Sequence, residues 1–184
     1  MLEASHKQQL LTLAAASIKY GLEHNKPLPI NLADYPAPLQ EIRASFVTLT
    51  IRQQLRGCIG TLEAIRPLVK DVVENAFAAA FRDPRFNPVQ ENEYHDLHYH
   101  ISILNAPVPM LFDSEADLLS QLRPGVDGLV LEDLGRRGTF LPSVWESLPE
   151  PADFFRHLKT KAGLSTAHWS SSLRVQRYTV ENIE

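Results

Sequence analysis

Apolar and polar residues in the first part of the chain follow two different patterns. Near the N-terminus, apolar residues recur at helical spacing after a capping box formed by Ser5 and Gln8. This spacing predicts a first helix over about residues 5–24. Residues 27–38 are punctuated by prolines, which predicts an extended loop.

Two apolar runs follow, at roughly residues 44–51 and 54–62, and only the polar pair Arg52-Gln53 separates them. Their closeness predicts a β-hairpin. Pro67 suits the first turn of a second helix, which should end at Pro84. The wide apolar stripe of this helix predicts that it packs closely on a sheet.

The rest of the chain carries signals for five more elements. They are a strand over residues 97–104, a short helix capped by Ser114 with Asp117, a hairpin whose arms flank Gly135-Arg136-Arg137-Gly138, a helix over residues 153–162 closed by Gly163, and a final strand over residues 173–180. Strand pairs and helices do not alternate regularly. The pattern therefore favours an α+β fold with an antiparallel or mixed sheet flanked by helices.

Composition narrows the class of protein. A chain of 184 residues can form one domain over residues 1–184, or a domain with a small appended lobe. Its net charge of -4 argues against broad binding of nucleic acid. The chain has no apolar run long enough to span a bilayer and no signal peptide, so we expect a cytoplasmic protein without membrane contact. A single cysteine fits a reducing compartment and excludes an internal disulfide.

That cysteine, Cys58, lies in the segment Leu55-Arg56-Gly57-Cys58-Ile59-Gly60-Thr61. If the segment is a regular strand, Arg56, Cys58 and Gly60 share one face, and Gly60 leaves open space beside the thiol. A nearby cation lowers the pKa of a thiol, so Cys58 is a candidate catalytic nucleophile. The alternative is an inert core cysteine, with the glycines marking a bulge or a close crossing of backbones.

Six short segments follow one another along the chain. They are Phe46-Val47-Thr48-Leu49, Leu55-Arg56-Gly57-Cys58-Ile59-Gly60-Thr61, Asp83-Pro84-Arg85-Phe86, Asp127-Gly128-Leu129, Leu141-Pro142-Ser143-Val144 and Lys161-Ala162-Gly163-Leu164. In this order they resemble the AMMECR domain family, which in bacteria corresponds to AmmeMemoRadiSam system protein A. The resemblance runs from about Pro27 to Val180. Ser143 departs from it, because the family pattern has glutamine at this position.

The resemblance implies an α+β fold, with a larger lobe around an antiparallel sheet, a smaller lobe beside it, and the Cys58 segment bordering the cleft between them. It implies no defined activity and no cofactor. The bacterial group is associated with a Memo-type protein and a radical SAM enzyme, which implies that these proteins are partners in a common pathway. Association of this kind does not establish chemistry.

Two arginines in these segments, Arg56 and Arg85, are the predicted anion-binding residues, because their planar guanidinium groups suit a carboxylate or a phosphate. The candidate ligand-binding set is Arg56, Gly57, Gly60, Thr61, Asp83 and Arg85. Two alternatives are structural. Arg56 can form an internal salt bridge that fixes the hairpin, and Asp83 can pair with Arg85 in a turn.

Other polar groups have structural explanations beside functional ones. His98 and His100 fit either a metal pair without a third ligand or a solvent-side strand face, and we predict no metal site. Lys161 suits the last turn of a helix, or catalysis if it is buried. The five basic residues between Arg156 and Arg177, a stretch with no acid, suit an anionic partner or a solvated face.

The leading hypothesis is a cytoplasmic protein that binds a small anionic metabolite in a cleft beside Arg56 and Cys58, as an enzyme or a carrier. The alternative is an interaction scaffold for the Memo-type and radical SAM proteins, and a nucleic-acid-binding regulator is the weakest hypothesis. No Walker motif, dinucleotide fingerprint or Ser-His-Asp order is present, so no motif assigns an enzyme. A closed pocket beside Cys58 favours the metabolite, whereas a flat apolar surface favours a protein partner.

Overall fold

The computed structural model describes residues 1–184 and divides into two compact units. Unit 1 contains Met1–Leu104 and Glu181–Glu184, and unit 2 contains Asn105–Val180. Each unit has a four-stranded sheet and a buried apolar cluster of its own. The fold is α+β with antiparallel sheets, which confirms the predicted class.

The helices and strands have the following bounds. The helices are α1 (Ala4–His24), α2 (Ala37–Gln40), α3 (Leu68–Phe81), α4 (Glu115–Gln121) and α5 (Pro151–Lys161), with short 3-10 helices at Leu32–Asp34, Glu91–Asp96 and Pro142–Glu146. The strands are β1 (Ser45–Ile51), β2 (Gln54–Gly60), β3 (His98–Leu104), β4 (Val108–Pro109), β5 (Gly128–Asp133), β6 (Arg136–Phe140), β7 (Arg174–Tyr178) and β8 (Val180–Ile183). None of the helices combines the length and apolarity needed to cross a membrane.

The first helix begins one residue earlier than its predicted capping box. α1 starts after Glu3, whose side chain makes no capping hydrogen bond, so the predicted box of Ser5 and Gln8 is wrong. The helix ends where Asn25 adopts a left-handed conformation with a φ of 53°. Its predicted extent is otherwise confirmed.

The unit 1 sheet has the strand order β2-β1-β3-β8, and α3 packs against β1 and β2. Its inner face contributes four fully buried residues, Val47, Leu49, Ile101 and Ile103. On the opposite face, Thr48 lies across from His100 and Thr50 lies across from His98. The period of two in the sequence therefore separates the core face from a polar face, as predicted.

The β1–β2 hairpin has the predicted arms and turn. Arg52 and Gln53 form the turn with φ values of 50° and 65°, which suit a two-residue hairpin connection. This connection reverses the chain tightly and sets the pairing of the two strands.

A β-bulge then interrupts this hairpin at Arg56. The pairing steps from Leu49–Gly57 to Thr50–Leu55, and Arg56 has no residue opposite it on β1. The expected regular alternation is therefore wrong, because Leu55 shares the face of Thr50 and not the face of Gly57.

A glycine allows α3 to lie directly on β2. A Cβ atom at Gly57 would lie 2.1 Å from the carbonyl oxygen of Ala79 in α3. No side chain fits this distance unless the helix backbone moves. Gly57, predicted as part of a ligand site, therefore has a packing role at the helix–sheet contact.

A buried carboxylate joins α3 to both ends of the hairpin. Asp71 is 1% exposed and accepts hydrogen bonds from the backbone N–H and the hydroxyl of Ser45, at 2.8 and 2.6 Å. Thr61 Oγ1, Arg66 Nε and Asn75 Nδ2 also donate to it, at 2.9, 2.7 and 2.9 Å. One side chain thus connects the start of β1, the segment after β2 and two positions along α3.

Unit 2 has the strand order β4-β7-β5-β6, and its three pairs of neighbouring strands are antiparallel. Ser114 caps α4 by accepting a hydrogen bond from the N–H of Asp117, and Gly163 follows α5 with a φ of 79°. Both features confirm the predictions. Trp145 and Phe154 stack at 3.8 Å in the buried cluster.

Two predictions for this unit need correction. The β5–β6 turn consists of Leu134 and Gly135, with φ values of 50° and 72°, so Arg136, Arg137 and Gly138 belong to β6 and not to the loop. The strand predicted over residues 173–180 is present as β7, but it is not the final strand, because β8 follows it and joins the unit 1 sheet.

Asp71→Ala should lower the free energy of unfolding by about 3–5 kcal/mol, because it leaves the buried donors of Ser45 and Asn75 without their acceptor. Urea denaturation followed by circular dichroism measures the change. Lys70→Ala, at an exposed position of the same helix, is the control and should change stability by less than about 0.5 kcal/mol. Equal stability of the two variants would show that the Asp71 network does not hold α3 on the sheet.

Candidate functional site

Cys58 lies on β2, the edge strand of the unit 1 sheet, and is half-buried. Thr48 on β1 is directly opposite, and its hydroxyl donates a hydrogen bond of 3.2 Å to Cys58 Sγ. The thiol is therefore next to a neutral hydroxyl on the polar face of the sheet.

The backbone of Cys58 is held by an ion pair from the loop after α3. Asp83 Oδ2 accepts a hydrogen bond from the Cys58 N–H at 2.9 Å, and Arg85 Nη2 donates to the Cys58 carbonyl oxygen at 3.1 Å. Arg85 also donates to both carboxylate oxygens of Asp83, at 2.9 Å through Nε and at 2.7 Å through Nη2. The pair thus occupies the hydrogen-bonding groups that another strand would use at this edge.

Asp83 is an ionised group at this edge. Its side chain is 1% exposed, whereas that of Arg85 is 54% exposed. Hydrogen bonds from the Arg85 guanidinium hold the pKa of Asp83 well below its usual range, and the N–H groups of Cys58 and Arg85 add to this effect against the opposing effect of burial. The structure therefore contains the structural alternative for Asp83, which is its pairing with Arg85.

Arg56, the residue at the bulge, is also paired with a carboxylate. Its Nε and Nη2 donate to the two oxygens of Glu93 at 2.7 and 2.9 Å, and its Nη1 donates to the carbonyl oxygen of Asn87 at 3.0 Å. The hydrogen bonds from Arg56 lower the pKa of Glu93, and a further bond from the N–H of Gln90 acts in the same direction. An external anion would have to displace Glu93 to reach this guanidinium.

The other predicted ligand residues have close contacts within unit 1. A Cβ atom at Gly60 would lie 2.2 Å from Phe46 Cγ, so the expectation of open space beside Gly60 is wrong: the Phe46 ring of the neighbouring strand fills it. Thr61 donates its hydroxyl hydrogen to Asp71. The Phe46 ring therefore occupies the space on the Gly60 side of the thiol.

A hollow of about 1020 Å³ lies in unit 1 beside the polar face of β3. We call it the α1–β3 hollow. Its lining residues are Gln8, Leu11, Thr12, Ala15, Ala16 and Lys19 of α1, Thr48 and Thr50 of β1, Gln53, Tyr94 and Leu97, His98, Tyr99 and His100 of β3, and Glu184. Its volume is at the upper end of the range typical of small-molecule sites.

The hollow reaches the neighbourhood of Cys58 through one residue. Thr48 lines the hollow, donates to Cys58 Sγ and pairs across the sheet with His100. His100 Nδ1 lies 3.0 Å from a carboxylate oxygen of Glu184. The order across the polar face is therefore Cys58, Thr48, His100, and sequence reasoning identified the first and the last of these without the residue between them.

Sequence reasoning missed the helical side of this hollow. The six lining positions on α1 recur at spacings of three and four, but they lie beside the apolar stripe and include both polar and small residues. The apolar periodicity of the sequence identified the buried stripe of α1. It gave no signal that the neighbouring face of this helix lines a hollow. The two histidines, predicted as a polar strand face, do line a hollow.

Lys161 belongs to unit 2. Its side chain is exposed at the end of α5, its ammonium group lies 5.0 Å from the centre of the Phe140 ring, and desolvation lowers its pKa. In neither unit do three or more His, Cys, Asp or Glu side chains form a group suited to a metal ion.

The chain is similar over nearly its whole length to known proteins. The AMMECR1 family model matches residues 11–183. A protein of Methanothermobacter thermautotrophicus is 35% identical over 178 residues, covering 94% of this chain and 90% of that protein, and protein MJ0810 of Methanocaldococcus jannaschii is 33% identical over 163 residues, covering 84% and 79%. The crystal structure of an uncharacterized protein, PH0010 from Pyrococcus horikoshii, matches with a TM-score of 0.87 at 30% identity and covers 98% of this chain and 92% of that one.

Asp83→Asn should destabilise the protein by about 1–3 kcal/mol near neutral pH, because it breaks the ion pair that holds the β2 edge. The folded pKa of Asp83 is below the unfolded value of about 3.9. Its carboxylate therefore stabilises the fold above the unfolded pKa, and this contribution is lost as the pH falls through the folded value. Urea unfolding at neutral and at acid pH should show a gap between wild type and variant that narrows in acid.

The control for this measurement is Asp96→Asn, at an exposed position, which should leave stability nearly unchanged at both pH values. A gap for Asp83→Asn that is the same at neutral and acid pH would contradict the assigned role of the Asp83–Arg85 pair.

A double-mutant cycle tests whether Arg56 and Glu93 stabilise one another without any ligand. Arg56→Gln and Glu93→Gln should show a coupling energy of about 1–3 kcal/mol in urea unfolding, because the pair is bidentate and partly buried. The exposed pair Arg156 and Asp153 is the matched control, with an expected coupling below about 1 kcal/mol. Coupling near zero for Arg56 and Glu93 would leave the arginine available for a ligand.

Proposed function

The chain belongs to the AMMECR1 family, and we propose that it binds a small organic acid in the α1–β3 hollow. The observation that carries the proposal is the lining of this hollow, which combines an apolar helical wall with a small set of polar and cationic side chains. This combination is characteristic of small-molecule sites, where apolar surface supplies affinity and a few polar groups fix orientation.

The apolar part of the site would hold the carbon skeleton of the ligand. Leu11 and Ala15 of α1 lie on one side, with Tyr94 and Leu97 from the segment before β3. The hydroxyl of Tyr94 already donates to the Ala15 carbonyl oxygen at 3.2 Å, which supports a fixed position for this ring. A wall that is built before the ligand arrives loses little conformational entropy on binding.

The polar part of the site would hold the acidic group. Lys19, His98 and His100 line the hollow, and the one acidic residue among the lining residues is Glu184, which lies against His100. Thr48 and Thr50 add hydroxyl groups on the same face of the sheet as the histidines. A carboxylate can accept hydrogen bonds from the Lys19 ammonium group, from a ring N–H of each histidine and from the Thr50 hydroxyl.

Cys58 is a neighbour of this proposed site and is not among its lining residues. Thr48 lies between the thiol and the hollow. A catalytic role for Cys58 would therefore include rotation of the Thr48 side chain away from the thiol. A hollow favours a metabolite as the ligand, whereas a flat apolar surface would favour a protein partner. The presence of the hollow therefore supports the first of the two hypotheses drawn from the sequence.

We also propose with which proteins and in which compartment this chain acts. The resemblance to AmmeMemoRadiSam system protein A supports a ligand that is handled in a process shared with Memo-type and radical SAM proteins. A single cysteine supports the cytoplasm as the compartment, because reduced thiols persist there.

Thr12→Trp should abolish binding of organic acids, because an indole at this exposed helical position extends into the hollow. The measurement is a thermal-shift screen of small carboxylic acids, each beside its primary amide. A ligand at a hundred times its Kd stabilises the wild type by about 2.7 kcal/mol, and the amide should stabilise it less. Lys19→Gln should reduce the difference between acid and amide.

Ser5→Trp is the matched control, since Ser5 is exposed on α1 and does not line the hollow. It should keep the response of the wild type. The proposal is overturned if no acid stabilises the wild type more than its amide, or if Thr12→Trp responds as fully as Ser5→Trp.

A further inference from the structure

The first part of β3 has an unpaired backbone edge beside the α1–β3 hollow. β3 lies between β1 and β8 in the unit 1 sheet, and two contacts show its register against β8. Ser102 Oγ donates to Asn182 Oδ1 at 2.8 Å. His100 Nδ1 lies 3.0 Å from Glu184 Oε1, so two residues back along β3 correspond to two residues forward from Asn182, as in an antiparallel pair. Tyr99, one residue before His100, therefore lies beyond the end of β8.

The backbone N–H and C=O of Tyr99 are directed away from β1. The N–H of Leu104 donates to the carbonyl oxygen of Ala44, its opposite residue, at 2.9 Å. Successive residues of an antiparallel strand bond alternately to one neighbour and to the other. The even-numbered residues of β3 therefore bond to β1, and the odd-numbered ones face the side of β8. Because β8 does not reach Tyr99, one donor and one acceptor have no strand partner at a residue that lines the hollow.

The groups on the two sides of Tyr99 differ in charge. His98 precedes Tyr99 on β3, and Lys19 of α1 supplies the one permanent positive charge of the lining. Glu184, the one acid in the lining, lies against His100 on the other side of Tyr99. A ligand that continues the pairing of β8 past Tyr99 therefore begins beside Glu184 and runs towards His98.

The wall that α1 contributes to the hollow leaves room for such a ligand. Ala15 and Ala16 line it with methyl side chains, and Leu11 adds apolar surface. The Tyr94 hydroxyl donates to the Ala15 carbonyl oxygen at 3.2 Å, so the helix and the segment before β3 are joined at this point. The hollow thus combines a free strand edge, a cation for an acid and apolar surface for a carbon side chain.

We propose that the acid bound in the α1–β3 hollow is an α-amino acid unit, which pairs with the backbone of Tyr99 as one further residue of a β-strand. This inference rests on the proposed function and names its class of ligand. In an antiparallel pair the N–H of such a unit donates to the Tyr99 carbonyl oxygen, and its carboxylate accepts from the Tyr99 N–H. The carboxylate then lies on the side of His98 and the nitrogen on the side of Glu184. Peptides that add a strand to a sheet edge use the same main-chain hydrogen bonds.

The probes are two pairs of acids that differ in the nitrogen. Leucine is compared with isocaproic acid, which has the same carbon skeleton without the amino group. N-acetylleucine is compared with O-acetylleucic acid, in which an ester oxygen replaces the amide N–H. In at least one pair, isothermal titration calorimetry should give a Kd about tenfold lower for the member with the N–H, because its partner leaves the Tyr99 carbonyl oxygen unpaired. A difference in the first pair alone assigns a free amino acid, and a difference in the second assigns an acylated residue, as at the end of a peptide.

Labelling with ¹⁵N-tyrosine tests the contact with Tyr99 directly. The chain has five tyrosines, and the amide signal of Tyr99 is identified by its loss in Tyr99→Phe. The tighter probe should shift this signal and leave that of Tyr178, in unit 2, unchanged. Tyr99→Phe should bind the probe as the wild type does, because the contact is made by the backbone. Thr12→Trp should abolish the shift and Ser5→Trp should keep it, since only Thr12 lines the hollow.

The outcomes separate this inference from the proposed function. If isocaproic acid binds, and neither leucine nor N-acetylleucine binds more tightly than its matched acid, the amino-acid assignment is overturned and the acid site is retained. The assignment is also overturned if a probe binds without shifting the Tyr99 signal. If none of the four probes binds at millimolar concentration, this inference is overturned, and the wider screen of acids against their amides decides the proposed function.

Discussion

The close approach of α3 to β2 at Gly57 is the constraint on which the Cys58 region depends. With the Ala79 carbonyl oxygen 2.1 Å from the place of a Cβ atom, only glycine lets the helix backbone lie on the strand. That contact holds the last turn of α3 against β2. The loop that follows then brings Asp83 and Arg85 to the peptide of Cys58, one residue further along the strand. A packing constraint thus determines an electrostatic contact.

The residues that make this chain recognisable are consequently structural in large part. Asp83 and Arg85 close the free edge of β2, and Arg56 at the bulge is bonded to Glu93. An ion pair that also bonds backbone groups is hard to replace, because removal of either partner leaves the other charge and a backbone group unpaired. This explains how residues that do not line the α1–β3 hollow can belong to the segments that make the chain recognisable.

Local patterns predicted the elements, and long-range contacts decided the site. The β1–β2 hairpin, α3, β3 and the Ser114 cap of α4 follow from periodicity and capping, which neighbouring residues determine. The bulge at Arg56 interrupts the β1–β2 pairing, and the partner of Arg56, Glu93, lies 37 positions further along the chain, a contact that no local pattern encodes. Sequence reasoning therefore identified Arg56 and Cys58 as candidate residues of one segment. It also assumed a regular strand, and that assumption is wrong because of the bulge.

The position of Thr48 changes how the thiol of Cys58 should be regarded. A cation beside a thiol would favour the thiolate, but the two arginines of this region are each bonded to a carboxylate, and Arg85 reaches only the carbonyl oxygen of Cys58. The group in contact with Cys58 Sγ is the hydroxyl of Thr48, which also lines the α1–β3 hollow. Chemistry at Cys58 would thus depend on the rotamer of Thr48. Binding in the hollow has no such requirement, so ligand recognition and thiol chemistry are separable functions of the same polar face.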